Sequence, residues 1–325
     1  MERAKSGAAA GPKPTWHYST AEKVQAAWRC VRQRARPRRV LFAGPFAGEF
    51  GYELMQWQAF VRARRPHYEA VHVFTYPGRD YLYEGCHVHY HDIDLRTAGY
   101  GYGRQSPHEA RERAAAKAAA LGLGEYDLFD PMVLCTQYHK RLFWRQEFRL
   151  FQETPRPGGI RDVAFHFRSI DKAGPDRTRN YQPELVRQLV EMGRAAGWRM
   201  VCIGHPDYSL CPEGVEDFRS LDLRETVSAL CSVRLLAGEL SGPMHLANLC
   251  GLPTAFFADG QWRIDNCLGW NPFRVPLYVI ANDTMQPAPA LVFERVRAAL
   301  ADLENRTGGF LQPAFTLPAQ PIANF

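Results

Sequence analysis

Apolar positions along this chain change period repeatedly, and the changes mark out strands and helices in turn. Val40, Leu41, Phe42 and Ala43 form a short continuous apolar run that stops at Gly44, the form of a buried strand. Over residues 51–64, Leu54, Trp57, Phe60 and Val61 fall on one helical face. A second strand is predicted at 70–74, an alternating edge strand at 87–91, an alanine-rich helix at 109–121 and a further strand within 128–135. Residues 153–159, Glu-Thr-Pro-Arg-Pro-Gly-Gly, break both regular structures and read as a linker. After it the alternation restarts, with strands at 162–167, 198–203, 234–237 and 254–257 and helices at 182–196, 223–232 and 244–250. This pattern predicts an α/β protein with two parallel sheets, whose ligands bind at the carboxyl ends of the strands. The predicted organisation is a disordered or helical leader (1–36), an N-terminal domain (37–152), a C-terminal domain (160–300) and an irregular tail (301–325).

Composition narrows the class. The 325 residues are enough for two domains, and 46% hydrophobic with 23% charged residues is a globular balance. No apolar run approaches the length of a membrane span, and the N-terminus has no secretory pattern, so a cytoplasmic protein is expected, either free or peripheral to a membrane. The eight cysteines are scattered without a CxxC pair, which suits reduced structural thiols and gives no zinc pattern. Charge is uneven. Arg29, Arg32, Arg34, Arg36, Arg38 and Arg39 crowd one stretch, and Arg62, Arg64 and Arg65 follow the next helix. Such a patch is either a solvated face or a surface for an anionic partner: phosphorylated substrate, lipid headgroup or nucleic acid.

The most specific segment runs from Arg234 to Thr254. An apolar strand leads into Ser241-Gly242-Pro243, then Met244 and His245 open a helix. Glycine lets a backbone approach a ligand, proline in the first helical turn sacrifices no hydrogen bond, and a helix N-terminus favours an anion such as a diphosphate. His245, one turn in, is placed to donate to a phosphate oxygen. This segment resembles the donor motif of the ADP-heptose:lipopolysaccharide heptosyltransferase family, over Ser241–Ala247 and Gly251–Pro253. It departs at Leu240, where that family tends to carry Asp, with Glu239 one place earlier. The likeness continues upstream through Gly204-His205-Pro206-Asp207 and spans roughly residues 162–257. It implies the GT-B fold, two Rossmann-like domains facing across a cleft, and a nucleotide-sugar donor bound by the C-terminal half.

His166 and Arg168 alternate onto one face at the end of a strand, with Asp171 and Lys172 in the following loop. This is similar to the His-x-Arg-Arg-x-Asp-Lys motif of GT-B fucosyltransferases, where the arginine holds the diphosphate. Arg168 is the candidate here, with His166, Lys172 and Gly204 as donor-binding neighbours. Ser169 stands where that motif has its second arginine, so its share passes to Lys172, Arg177 or Arg179. A salt-bridged strand end is the plainer reading of Arg168, and packing the plainer reading of His166.

Residues 44–54 join the first strand to the first helix through three glycines. The loop resembles the corresponding acidic loop of the same families, which implies a general base at Glu49 or, second, Glu53, and a sugar or acceptor loop of Gly48, Phe50, Gly51 and Tyr52. An inverting transfer needs such a carboxylate to take the acceptor hydroxyl's proton. Glu53 also suits a helix-dipole partner, and Trp57 suits the core. The Asp92-Ile93-Asp94 triplet and the run His87, His89, His91 are short enough to arise by chance, so no metal and no cofactor beyond the nucleotide-sugar substrate is expected. The expected activity is inverting, metal-independent glycosyl transfer to a glycan, lipid-linked glycan, natural product or nucleic acid. The alternatives are a sugar-nucleotide epimerase on the same fold and a basic nucleic-acid or membrane-surface module.

Overall fold

The computed structural model describes residues 20–93, 107–130, 146–170 and 179–307. The chain divides into two compact units. One comprises Met1–Glu49, Ala63–Pro77 and Gly85–Arg145; the other comprises Phe50–Arg62, Gly78–Glu84 and Gln146–Phe325. Two short stretches from the N-terminal half thus belong with the C-terminal unit, which no linear reading of linkers shows.

The first unit holds helix α1 (Thr20–Ala35), strands β1 (Val40–Ala43), β2 (Ala70–Thr75), β3 (His87–Tyr90) and β4 (Asp127–Phe129), and helix α4 (Pro107–Ala120). Its described strands lie in the order β3-β2-β1-β4, every pair parallel. Phe42 and Phe74 pack on Ala114 and Ala118 of α4. The arginine cluster is partly spent within this unit. Arg32 donates to Asp127 at 2.8 Å, the Arg38 backbone donates to the same carboxylate at 3.0 Å, and Arg39 pairs with Glu69. The expected row of three histidines is also broken. His72 stacks on His87 and His89 from the next strand, whereas His91 is buried, its Nε2 2.7 Å from the Phe46 carbonyl. Asp92 is exposed beside Arg113, and Asp94 lies outside the described residues.

In the second unit the expected helix over 51–64 is present in three pieces: α2 (Phe50–Tyr52), a π-helical turn (Glu53–Trp57) and α3 (Gln58–Arg64). A π turn admits one extra residue, so a side-chain face read at 3.6 residues per turn rotates there. The sheet of this unit is larger than the expected four strands. The parallel order is β11 (Leu277–Ala281), β10 (Thr254–Ala258), β9 (Val233–Glu239), β5 (Arg161–Arg168), β6 (Met200–Cys202) and β8 (Glu216–Asp217); β7 (Ser209–Leu210) pairs antiparallel with β5. Helices α5 (Pro183–Ala195), α6 (Leu223–Leu230), α7 (Gly242–Leu249), α8 (Gln261–Gly269) and α9 (Pro289–Thr307) connect or follow the strands. Helix α9 occupies 301–307, the first part of the expected irregular tail, and 308–325 lie outside the described residues.

Local chemistry explains these elements. In α5, Val186, Leu189, Val190 and Gly193 are buried at helical spacing behind a first-turn proline. Helix α6 is capped by Asp222, whose carboxylate accepts from the Arg224 and Glu225 N–H groups. Val163, Phe165 and Phe167 of β5 join Leu235 and Ala237 of β9, α5 and α9 in one core. Strand alternation sends Ala164, His166 and Arg168 to the other face. The chain leaves β5 toward β6 and leaves β9 toward β10 in the opposite direction. Right-handed crossovers therefore put α5 and α7 on opposite faces, with the switch point between β5 and β9. Arg168 and α7 share a face.

Candidate functional site

All the contacts below lie within the second unit. At Gly238, paired with His166, φ is 141° and an added Cβ would meet the His166 carbonyl oxygen at 2.2 Å, so only glycine fits. Ser241 is the extended N-cap of α7, but its hydroxyl caps nothing. The Ser241 Oγ and His245 Nδ1 atoms are buried without a hydrogen-bond partner among the described residues. His245 is 4% exposed, and burial, reinforced by the Arg179 charge, pushes its imidazole down to about 3, so the ring is neutral at physiological pH. A neutral imidazole still has one N–H to donate. Met244 is buried in the helix packing.

The start of α2 packs on this turn. An added Cβ on Gly242 would come within 2.5 Å of the Phe50 ring, and one on Gly51 within 3.3 Å of His245. Trp270 completes the cluster, edge-on to both His245 and Tyr52. Sequence reading missed Trp270, because it follows a short helix with no donor-like motif around it. The Arg79 guanidinium lies 4.0 Å over the Phe50 ring and 3.4 Å from the Glu53 carboxylate. Glu53 is fully buried and accepts from the Tyr83 hydroxyl at 2.8 Å. The second candidate base is thus enclosed by Tyr83 and Arg79. Gly48 is buried and Glu49 partly exposed, one residue ahead of Phe50 in the chain.

At the end of β5 the expected pair separates. The His166 Nδ1–H points at the Ile203 carbonyl at 3.1 Å, and burial pushes the ring down to about 4. Its work is to tie β5 to the end of β6. Gly204 serves the same contact: φ is 129°, and a Cβ there would lie 2.8 Å from His166 Nδ1. Both residues build the strand end, a use that the sequence expectation of donor binding did not include. Arg168 is 6% exposed, and its backbone N–H donates to both oxygens of Glu239, at 3.2 and 3.3 Å. The Tyr181 N–H donates to the same carboxylate at 2.7 Å. Burial pushes Glu239 up to about 7, against the opposing pull of these donors and of the Arg168 charge. Arg179 donates to the Leu240 carbonyl at 2.5 Å, immediately before Ser241. Of the three stand-ins for the missing second arginine it is the described one; Lys172 and Arg177 lie outside the described residues.

Arg179 thus borders the β9–α7 turn and the Arg168 backbone holds Glu239 just ahead of it, while the Ser241 hydroxyl, the His245 imidazole and the first-turn N–H of α7 belong to that turn. The set is suited to an anion with several oxygens. Among the described residues no group of three or more His, Cys, Asp or Glu side chains is arranged to hold a metal ion, and no helix is long and apolar enough to cross a membrane.

No model of a protein family matches this sequence, and no curated protein matches it. Solved structures do match. Escherichia coli ADP-heptose lipopolysaccharide heptosyltransferase II is 15% identical, over 82% of this chain and 100% of that one, at a TM-score of 0.51. E. coli heptosyltransferase WaaC with ADP-2-deoxy-2-fluoro heptose is 12% identical, over 81% and 100%, at 0.50. A family 9 glycosyl transferase from Veillonella parvula DSM 2008 is 12% identical, over 83% and 98%, at 0.50. The chain shares with these glycosyltransferases the GT-B fold of Rossmann-like α/β units, heptosyltransferases prominent among them.

Proposed function

We propose that this protein is an inverting, metal-independent glycosyltransferase that moves a sugar from a nucleoside-diphosphate sugar to an acceptor hydroxyl. The observation that carries the reading is the pair of buried polar atoms, Ser241 Oγ and His245 Nδ1, left without partners among the described residues at a strand switch point, beside the Arg179 guanidinium and one strand from Arg168. A diphosphate supplies the acceptors that these donors need. In the reaction the acceptor oxygen bonds to the anomeric carbon as the bond from that carbon to the diphosphate oxygen breaks. Negative charge grows on the leaving diphosphate, where Arg168, Arg179 and the α7 N-terminus neutralise it; guanidinium and helix dipole do here what a divalent metal does elsewhere. Glu49 accepts the acceptor's proton. Its support is its partial exposure beside Phe50, together with the enclosure of Glu53 by Tyr83 and Arg79.

Heptosyltransferase neighbours make ADP the first nucleotide to try, followed by GDP and UDP. At 100 times its dissociation constant the right diphosphate adds about 2.7 kcal/mol of stability, read as a rise in melting temperature. Arg168→Ala removes most of that rise, and transfer by the native enzyme persists in a chelator. If no nucleoside diphosphate moves the melting temperature of the native protein, the reading fails.

A further inference from the structure

Helix α1 turns an apolar stripe to solvent. Among its described side chains the buried one is polar: Gln33, 2% exposed, donates from Nε2 to the Leu128 carbonyl at 2.9 Å. At about 100° per residue, Val24, Trp28, Val31 and Ala35 fall within a sector of about 60° on the side opposite Gln33. All four are exposed, Val24 by 62% and Trp28 by 68%. A solvent-facing stripe with tryptophan at its centre is unusual for a helix packed on a domain, where apolar residues normally face inward.

The flanks of the stripe are basic. Arg34 on one side and Arg36 on the other are exposed, and Arg32, held by Asp127, keeps 41% of its side chain accessible. Between residues 20 and 39 the sequence carries seven Lys or Arg and one acid, Glu22. We infer that this face of α1 docks on an anionic lipid bilayer, with Trp28, Val24 and Val31 entering the boundary between headgroups and acyl chains and the arginines meeting lipid phosphates. Charge chooses among the occupants. A second copy would set arginines against arginines, and the apolar stripe offers nothing to a nucleic-acid backbone. An apolar ridge bordered by arginine matches a negatively charged interface on both counts. The contacts lie wholly within the first unit, so the inference stands apart from the proposed activity.

The test is co-sedimentation of the full chain with phosphatidylcholine vesicles, with and without about one-third phosphatidylglycerol. The native chain should partition onto the anionic vesicles and not onto the neutral ones. Trp28→Asp should lower partitioning at least about tenfold, and Arg34→Gln and Arg36→Gln about fivefold each, with added salt acting in the same direction. These side chains are exposed, so melting temperatures should stay at the native value; Trp28→Ser serves if the aspartate variant does not fold. Absence of anionic-vesicle binding overturns the inference, as does binding that both Trp28 variants retain. A native dimer that Trp28→Asp dissociates would assign the face to a second copy, and duplex-DNA binding lost only in the arginine variants would assign it to nucleic acid; either result sinks the lipid assignment.

Discussion

The carboxyl ends of β1 and β9 begin alike and finish differently. Each carries a glycine with positive φ, Gly44 at 121° and Gly238 at 141°, and in each an added Cβ would collide with a neighbouring carbonyl, Phe74 at 2.3 Å and His166 at 2.2 Å. After Gly44 the backbone is used up by the fold. Gly44 N–H donates to the Phe129 carbonyl and Phe46 N–H to the Phe74 carbonyl, both at 2.9 Å, and Phe46 and Ala47 are buried. Past Gly238 the Glu239 carboxylate is consumed by two backbone donors, yet Ser241 and His245 keep polar atoms that no group among the described residues satisfies. A strand end with a glycine is therefore a geometry. What makes one of them a candidate site is polar capacity left unspent in a buried place.

The comparison can be broken most decisively at the proposed base. Glu49→Gln should cut kcat about 1,000-fold, worth about 4 kcal/mol, while leaving nucleoside-diphosphate affinity unchanged. Activity within tenfold of native would remove Glu49 from the chemistry.

Next in size is a pH effect. Glu239 has its folded pKa raised from 4.5 to about 7, so its contribution to stability is fully present below pH 4.5 and is lost as pH rises through 7. The loss is on the order of 3 kcal/mol. His166 and His245, held neutral by burial, act in the opposite window: their contribution is present above pH 6.5 and is lost as pH falls toward their folded values of about 4 and about 3. Denaturation curves of native and Glu239→Gln protein should therefore diverge between pH 4.5 and 7, the native protein losing stability relative to the variant. Parallel curves would mean that the carboxyl group does not titrate there.

The two glycines sharpen the comparison directly. Gly44→Ala and Gly238→Ala should each cost about 2 kcal/mol of stability, since both create a clash in a left-handed backbone. Only Gly238→Ala should also weaken nucleoside-diphosphate binding. Equal loss of affinity in both would show that the difference between the two strand ends does not govern the ligand. Smallest is His245→Ala, which removes one donor and should weaken the diphosphate about tenfold, about 1.4 kcal/mol. No change in affinity would leave the His245 Nδ1 without a function.

Much of this was legible in the chain. The apolar period marks the strands at Val40–Ala43, Arg161–Arg168, Val233–Glu239 and Thr254–Ala258, and the helices beside them, because burial acts on residues two, three or four apart. The Ser241-Gly242-Pro243 turn is legible for the same reason: proline and glycine act on their own backbone. Strand β11 and helix α8 were not, since their apolar residues lie among Asn, Asp, Pro and Gly and gain order only by packing beside β10. The burial of Glu53 was not legible, because it depends on Tyr83 and Arg79, some 30 residues away, and on a π turn that rotates the helix face.

The sequence by itself determined the α/β alternation and the β9–α7 turn, both products of short-range spacing. Only the tertiary structure decided which polar groups were already spent. His166 and Gly204 turn out to serve the β5–β6 junction, Glu239 to tie the ends of β5 and β9, and Arg179 to hold the Leu240 carbonyl. The reason is physical: a hydrogen-bonding group is available to a ligand only if no other part of the protein has claimed it, and the claimants here come from 37 to 71 positions away.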